Sequence, residues 1–281
     1  MKLQQKLAIG FFRTKINLLG LVSNRMAARE TLRIFLTPMM KTRAKEKEAF
    51  QKAERLQFTF EGKTIRGYRC NHPKDRKILL LHGFSSSCQN FDKYVAPLVQ
   101  KGYEVLAFDA PAHGESDGRT SNAVEYSEVI CRINELYGPI NGYVAHSFGG
   151  IALSLAMEKI GHTATTRIVL IAPATETSTA VDGAFAMLGL QNERLRKTVD
   201  ELILERTGKE TPWFSIRRAM NTIKASVLWF HDEEDDITPL EDALKVKADN
   251  HPNLQFVITK GLGHSRIYRD ADVINTIVRF L

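Results

Sequence analysis

The segment Gly142-Tyr-Val-Ala-His-Ser147-Phe-Gly-Gly150 sets a serine between an apolar run ending in Ala145 and an apolar helical pattern through Ile151, Leu153, Leu155 and Ala156. A sharp strand-to-helix turn projects its central side chain above a sheet and needs small residues two before and two after it, where backbones crowd. Ala145 and Gly149 meet that need. The helix that follows aims its N-terminus at the turn, which favours negative charge developing there. A serine hydroxyl alone is a poor nucleophile near neutral pH; it needs a base, and the base needs an orienting partner. The chain supplies both in the order Ser, acid, His. The run Ser226–His231 opens into Asp232-Glu-Glu-Asp235-Asp236, and the last apolar run is followed by Gly261-Leu-Gly263-His264. Asp232, Asp235 and Asp236 all compete for the carboxylate role. The spacing of Asp235 to Pro239 favours it, because Thr238-Pro239 has the form of an N-cap and first helical residue that pins the turn in register.

A tetrahedral oxyanion needs two converging donors. The stretch Leu79-Leu-Leu-His82-Gly83-Phe84 ends another apolar run, and Gly83 lets that loop approach the serine. The backbone N–H groups of Phe84 and Phe148 are therefore the expected oxyanion hole. His82, His113 and His146 stand beside these turns and are expected to serve backbone geometry, and His251 precedes Pro252 in a loop. Cys88 has no activating neighbour in sequence and is expected to be a buried, inert thiol. The acidic run 232–236 lacks the glycine spacing of a calcium loop, so no metal and no cofactor are expected.

These residues require a scaffold that brings several loops to one rim. Strand patterns at 57–61 and 64–70 are followed by apolar runs at 77–81, 103–108, 142–145, 167–172, 225–230 and 254–258, which alternate with helical patterns at about 91–101, 121–137, 148–160, 239–249 and 270–281. Runs apolar on both faces are what a parallel sheet covered by helices demands. The fold class is α/β: a mostly parallel central sheet of about eight strands flanked by helices. Gly62-Lys63 marks a hairpin between the first two strands. Ser147, the acidic run and His264 all follow carboxyl ends of strands, where open α/β sheets bind ligands. About fifty residues, 173–224, separate the strands ending near Ala172 and beginning near Ala225, far more than a usual connection. They contain a helical stretch at 192–206 and then Pro212-Trp213-Phe214.

Charge divides the chain of 281 residues unevenly. Residues 1–55 hold thirteen Lys and Arg against four Glu, a net +9, while 56–281 hold 26 basic and 28 acidic residues, a net −2. The larger part offers no net positive field to a phosphate backbone, so nucleic acid is not an expected partner. Residues 3–36 have helical periodicity and 41–55 form a second, highly charged helical stretch, giving a basic helical extension (1–55) before the main domain (56–281). The extension is expected to dock on the main body, to mediate self-association, or to make peripheral membrane contact. Cys70, Cys88 and Cys131 are scattered, which suits a reducing, cytoplasmic setting. The apolar patch Leu7–Phe12 is shorter than a secretory h-region, and no run reaches the roughly 18 apolar residues of a membrane span.

Five motifs in order now make a resemblance specific: His82-Gly83, Asp109-Ala-Pro-Ala-His113-Gly114-Glu-Ser116, the turn at Ser147, Asp235-x-x-x-Pro239 and Gly-x-Gly-His264. Residues 57–281 resemble the α/β-hydrolase fold superfamily. The resemblance implies Ser147 as nucleophile, His264 as base and then acid, Asp235 as the orienting carboxylate, and the 173–224 segment as a cap. It implies a serine hydrolase of carboxylesterase type acting on a small-molecule ester, with Phe185, Met187, Leu188 and Trp213 of the cap lining an acyl pocket. A thioester, amide, lactone or carbon–carbon bond would suit the same residues, and a membrane-associated or scaffolding protein on this fold is the reading from another class. Serine rather than aspartate at the elbow argues against dehalogenase and epoxide hydrolase chemistry. Ala112 and Asp232 stand where the family often has glycine.

Overall fold

The computed structural model describes residues 3–38 and 47–281. The strands are β1 (Glu54–Phe60), β2 (Lys63–Cys70), β3 (Lys77–Leu81), β4 (Glu104–Phe108), β5 (Gly142–His146), β6 (Arg167–Ile171), β7 (Ser226–Asp232) and β8 (Leu254–Thr259). Among the described residues the α-helices are α1 (Leu3–Val22), α2 (Asn24–Phe35), α3 (Asp92–Gln100), α4 (Ala123–Tyr137), α5 (Phe148–Met157), α6 (Thr177–Leu188), α7 (Glu193–Thr207), α8 (Ile216–Met220), α9 (Leu240–Ala248), α10 (Gly263–Arg266) and α11 (Ala271–Phe280). The chain divides into two compact units, Met1–Thr37 with Glu176–Ser215, and Pro38–Thr175 with Ile216–Leu281.

The larger unit carries one eight-stranded sheet in the order β1-β2-β4-β3-β5-β6-β7-β8. From β4 to β8 all neighbours are parallel, while β2 runs antiparallel to both β1 and β4. The expected hairpin is present with its turn one residue earlier, at Glu61-Gly62 rather than Gly62-Lys63: both turn residues have positive φ (46° and 74°), the twist that a two-residue β-turn requires, and Lys63 pairs with Phe60. The central strands are buried on both faces, as their unbroken apolar sequence demands. Ile78, Leu79, Leu80 and Leu81 of β3 are all sealed from solvent, each contributing about 1.5–3 kcal/mol of burial. The sequence pattern over 41–55 suggests a helix. Its first six residues lie outside the described ones, and the rest differs: Glu48–Phe50 make a single 3-10 turn and β1 begins at Glu54. Phe50 explains the change, because its ring is buried against Tyr68 at 5.1 Å, so tertiary packing overrides local propensity.

The smaller unit is helical. The pattern over 3–36 is two helices rather than one. Ser23 takes an extended conformation (φ −157°) and its hydroxyl caps α2 by accepting from the Met26 N–H. The chain doubles back there, since Lys15 meets Glu30 at 2.8 Å and Gly20 lies beside Ala27. Helix α1 packs on α2 and α6, and α2 packs on α7. Ile16, Ala27, Ala28 and Leu32 are buried apolar side chains of this hairpin, with Thr31 buried beside them. Asn24 Nδ2 donates to the Arg194 carbonyl, and the Arg25 guanidinium binds Glu205 at 2.8 and 2.6 Å. Helices α1 and α2 thus dock on the inserted segment. The insertion is closed at its neck, where Ser215 Oγ donates to Glu176 Oε1 (2.8 Å) and the Thr177 N–H to the Phe214 carbonyl (3.1 Å).

Candidate active site

The turn after β5 is as strained as its sequence requires. Ser147 has φ 53° and ψ −119°, outside the regions a residue with a side chain prefers. Its backbone is held from three directions. The Ser147 N–H donates to the Ile171 carbonyl at 3.0 Å, and its own carbonyl accepts from Gly150 (2.9 Å) and Ala174 (3.1 Å). The small residues have physical causes. A Cβ on Gly149 would lie 2.6 Å from the Leu81 carbonyl oxygen, and one on Gly83 would lie 3.0 Å from Ser147 Cβ. Ala145, on the strand side, is fully buried and tolerated.

Ser147, His264 and Asp235 meet. His264 Nε2 is 2.9 Å from Ser147 Oγ, and His264 Nδ1 is 2.8 Å from Asp235 Oδ2. An ionised carboxylate can only accept, so Nδ1 carries the proton and Nε2 presents a lone pair to the serine hydroxyl. Burial pushes the Asp235 carboxyl up, but the hydrogen bond and charge of His264 and the N–H groups of Thr238 and Ile237 outweigh it and hold the group below the usual carboxylate range. Asp235 Oδ1 accepts from the Ile237 and Thr238 N–H groups, both at 2.9 Å. Thr238 does more than its sequence position suggests. Helix α9 begins at Leu240 with Pro239 as its cap residue, one position later than expected. The Thr238 hydroxyl instead donates to Asp235 Oδ2 (2.8 Å) and lies 3.1 Å from His264 Nδ1.

The rival acids separate cleanly. Asp236 is exposed. Asp232 is buried and fully used as an acceptor: Oδ1 takes the N–H groups of Glu234 (3.0 Å) and Gly263 (2.9 Å), and Oδ2 takes the Leu262 N–H (3.1 Å) and the Thr259 hydroxyl (2.6 Å). Burial raises its carboxyl, and these four donors bring it below the usual range. Asp232 ties the loop bearing His264 to the loop bearing Asp235. Nothing in the acidic run distinguishes that role from solvation, so it was not readable from the sequence. His231 braces the same loop, donating from Nε2 to the Thr238 carbonyl at 2.8 Å.

Phe84 and Phe148, the expected oxyanion donors, lie together, their rings edge-to-face at 5.3 Å. Neither backbone N–H has a hydrogen-bond partner among the described residues. The loop holding Phe84 is fixed by two imidazoles. His82 accepts the Ala110 N–H at Nε2 (3.0 Å) and donates from Nδ1 to the Gly83 carbonyl (2.8 Å). His113 accepts the Ser85 N–H at Nε2 (3.0 Å) and donates from Nδ1 to the Pro111 carbonyl (2.9 Å). Accepting at Nε2 requires a neutral ring, and burial pushes His82 down to about 4. His146 is also kept neutral: burial pushes it down to about 3, its Nε2–H donates to the His264 carbonyl (3.0 Å), and its ring lies 4.2 Å from that of Tyr268. It steadies the backbone of His264. Cys88 is buried, and burial first, then the negative charge of Asp109, pushes its thiol well up, away from the reactive thiolate. Ala112 adopts φ 66°, the conformation glycine would take without strain.

Phe185, Met187, Leu188 and Trp213 belong to the helical unit. Phe185 and Leu188 are buried, with the Arg196 guanidinium 5.9 Å from the Phe185 ring centre, while Met187 is exposed. Trp213 is partly buried, edge-to-face with Phe214 at 5.2 Å.

A mostly parallel eight-stranded sheet with a strained serine at a strand-to-helix turn, and an imidazole and carboxylate converging on it from later loops, defines an α/β-hydrolase architecture. A profile of the alpha/beta hydrolase family matches residues 78–276, and the chain belongs to that family. The uncharacterized hydrolase YugF of Bacillus subtilis (strain 168) is 32% identical over 107 residues, which cover 36% of this chain and 39% of that protein. Among solved structures, an esterase of Pyrococcus furiosus is similar, with a TM-score of 0.64 at 19% identity, covering 87% of this chain and 98% of that one. Est1E of Butyrivibrio proteoclasticus, with ferulic acid bound, has a TM-score of 0.62 at 17% identity over 80% of this chain and 97% of that one. The thioesterase domain from the curacin biosynthetic pathway has a TM-score of 0.58 at 16% identity over 81% of this chain and all of that one. At these identities the structural likenesses establish the fold.

Proposed function

We propose that the protein is a serine hydrolase that cleaves a small carboxylic ester through an acyl-enzyme on Ser147. The observation that carries this reading is the unbroken hydrogen-bonded line from Ser147 Oγ through the His264 ring to Asp235. Ser147 Oγ attacks the acyl carbonyl while His264 Nε2 takes its proton. The oxyanion is received by the N–H groups of Phe84 and Phe148 at the start of α5. His264 then protonates the departing alkoxide, leaving the acyl group on Ser147. Water adds to that ester with His264 again as base, and collapse returns the proton to Ser147 and releases the acid. Asp235 keeps the proton on Nδ1 throughout and stabilises the imidazolium.

Ser147→Ala removes the nucleophile and is expected to lower kcat for a short p-nitrophenyl ester by about 10⁴-fold or more. Activity retained within tenfold would overturn the assignment. Esters, thioesters and amides of matched acyl chains, run on the wild-type protein, fix which bond is preferred. Failure of a fluorophosphonate to label Ser147 would favour the non-catalytic scaffolding reading.

A further inference from the structure

We propose that the outer face of α1 is a docking surface for an anionic lipid membrane, an inference independent of the reading of Ser147. Helix α1 buries one side within the helical unit through Ile16. Its opposite side is apolar as well, and it is uncovered. Leu7, Phe11, Leu18, Leu21 and Val22 are 66%, 65%, 60%, 84% and 78% exposed. They fall at spacings of four, seven, three and one, so they lie on one face of a helix that continues to the hairpin tip at Ser23. From Leu7 to Val22 the helix rises about 22 Å, so this is an extended stripe rather than scattered exposed side chains.

Charge selects the occupant. Residues 1–29 contain six Lys and Arg and no Asp or Glu. Lys15 stands at the margin of the stripe, four residues beyond Phe11 and three before Leu18, and Arg25 lies just past the tip. Two of these cations are engaged, Lys15 by Glu30 and Arg25 by Glu205, yet the helical unit still holds twelve basic and eight acidic residues, a net +4. An apolar stripe edged by cations is the pattern of a helix lying in the headgroup plane, where apolar side chains enter the acyl boundary and Lys and Arg reach anionic lipid. Among the described residues no helix is long and apolar enough to cross a membrane, so the proposed association is in the surface plane.

The test uses the full chain and sedimentation with vesicles of phosphatidylcholine alone or with about a third phosphatidylglycerol. Binding is expected to the anionic vesicles and at least tenfold weaker to the neutral ones. It should also fall steeply in 0.5 M salt, roughly where the Debye length drops below about 5 Å. The double variant Leu18→Glu, Leu21→Glu is expected to reduce the partition constant by roughly a hundredfold. Both sites are exposed, so an unchanged thermal melt will show that the fold persists. Equal binding to both vesicle types, no binding to the anionic ones, or binding indifferent to the double variant would each overturn the proposal. So would a dimer seen by light scattering that the double variant dissolves while vesicle binding is absent.

Discussion

Replacing Asp232 and Asp235 in turn by asparagine should produce opposite failures. Asp235 divides its work: Oδ1 accepts the Ile237 and Thr238 N–H groups, and Oδ2 faces His264 Nδ1 and the Thr238 hydroxyl. In Asp235→Asn the amide oxygen can keep the two backbone bonds, which turns the NH2 toward His264. A ring facing a donor must present a lone pair at Nδ1, so its proton moves to Nε2, the atom 2.9 Å from Ser147 Oγ. The base is then lost while the loop stands. The expected kcat loss is about 10³–10⁴-fold, with a stability cost of about 1 kcal/mol for the exchanged hydrogen bonds. Asp232 instead receives four donors and offers no side that tolerates an NH2. Thr259 can rotate its hydroxyl, but the N–H of Leu262, or those of Glu234 and Gly263, would be left facing a donor. That costs on the order of 2–4 kcal/mol, or a fall in Tm of roughly 4–16 °C for a chain of this size. Activity measured well below the new Tm should stay within about tenfold of wild type. Scanning calorimetry and p-nitrophenyl ester kinetics on both variants decide it. If Asp232→Asn were inactive and fully stable while Asp235→Asn kept its activity, the carboxylate roles would be reversed and the argument refuted.

Two further outcomes follow from the same geometry. His82 must be neutral to accept the Ala110 N–H, and burial pushes it down to about 4, against about 6.5 in an unfolded chain. Between those values the unfolded chain holds a proton the folded one refuses, so stability is full above about pH 6.5 and falls as pH drops toward 4, by about 3 kcal/mol. Urea midpoints that do not move between pH 7 and 4.5 would contradict this, and His82→Gln should flatten the slope by about one proton. Gly149→Ala would set a Cβ 2.6 Å from the Leu81 carbonyl oxygen, a backbone atom that cannot step aside. A destabilisation of about 1–3 kcal/mol is expected, together with lower kcat as the elbow shifts. An unperturbed melt would show that the elbow has slack.

What could be read in the sequence was whatever leaves a local pattern. Strands buried on both faces are unbroken apolar runs, so the sheet was visible from Lys77 to Thr259, and the elbow was visible because Ala145, Ser147 and Gly149 answer a steric demand within five residues. The break of the first helix at Ser23 was less visible, since apolar periodicity continues through it and only a capping hydroxyl marks the turn. The region 48–55 misled for the opposite reason: its residues favour helix, and the ring of Phe50, buried against Tyr68, is a contact no local pattern announces. Asp232 is the sharpest case. Its four partners come from positions 234, 259, 262 and 263, three of them on another strand end, so its role exists only once β7 and β8 are paired.

That difference has a physical basis in what each residue must oppose. A positive φ at a non-glycine residue costs about 1–3 kcal/mol and persists only when its surroundings over-determine it. Ser147 is so constrained, by Ile171, Gly150 and Ala174 through its backbone, and by Gly83 and Gly149 through the space they leave. The catalytic candidates that come from loops need the same constraint without strands on both sides. It is supplied by groups tied to the scaffold: the Asp232 carboxylate saturated by four donors, and His82, His113, His146 and His231, each giving a ring N–H to a backbone carbonyl. These bonds fix the loop of Phe84 and the loops of Asp235 and His264 relative to β3, β5 and β7. Clustering of histidines around Ser147 therefore does not mean several bases. His264 differs from the others in one respect: its Nδ1–H goes to a carboxylate rather than to a carbonyl, and its free nitrogen faces the serine.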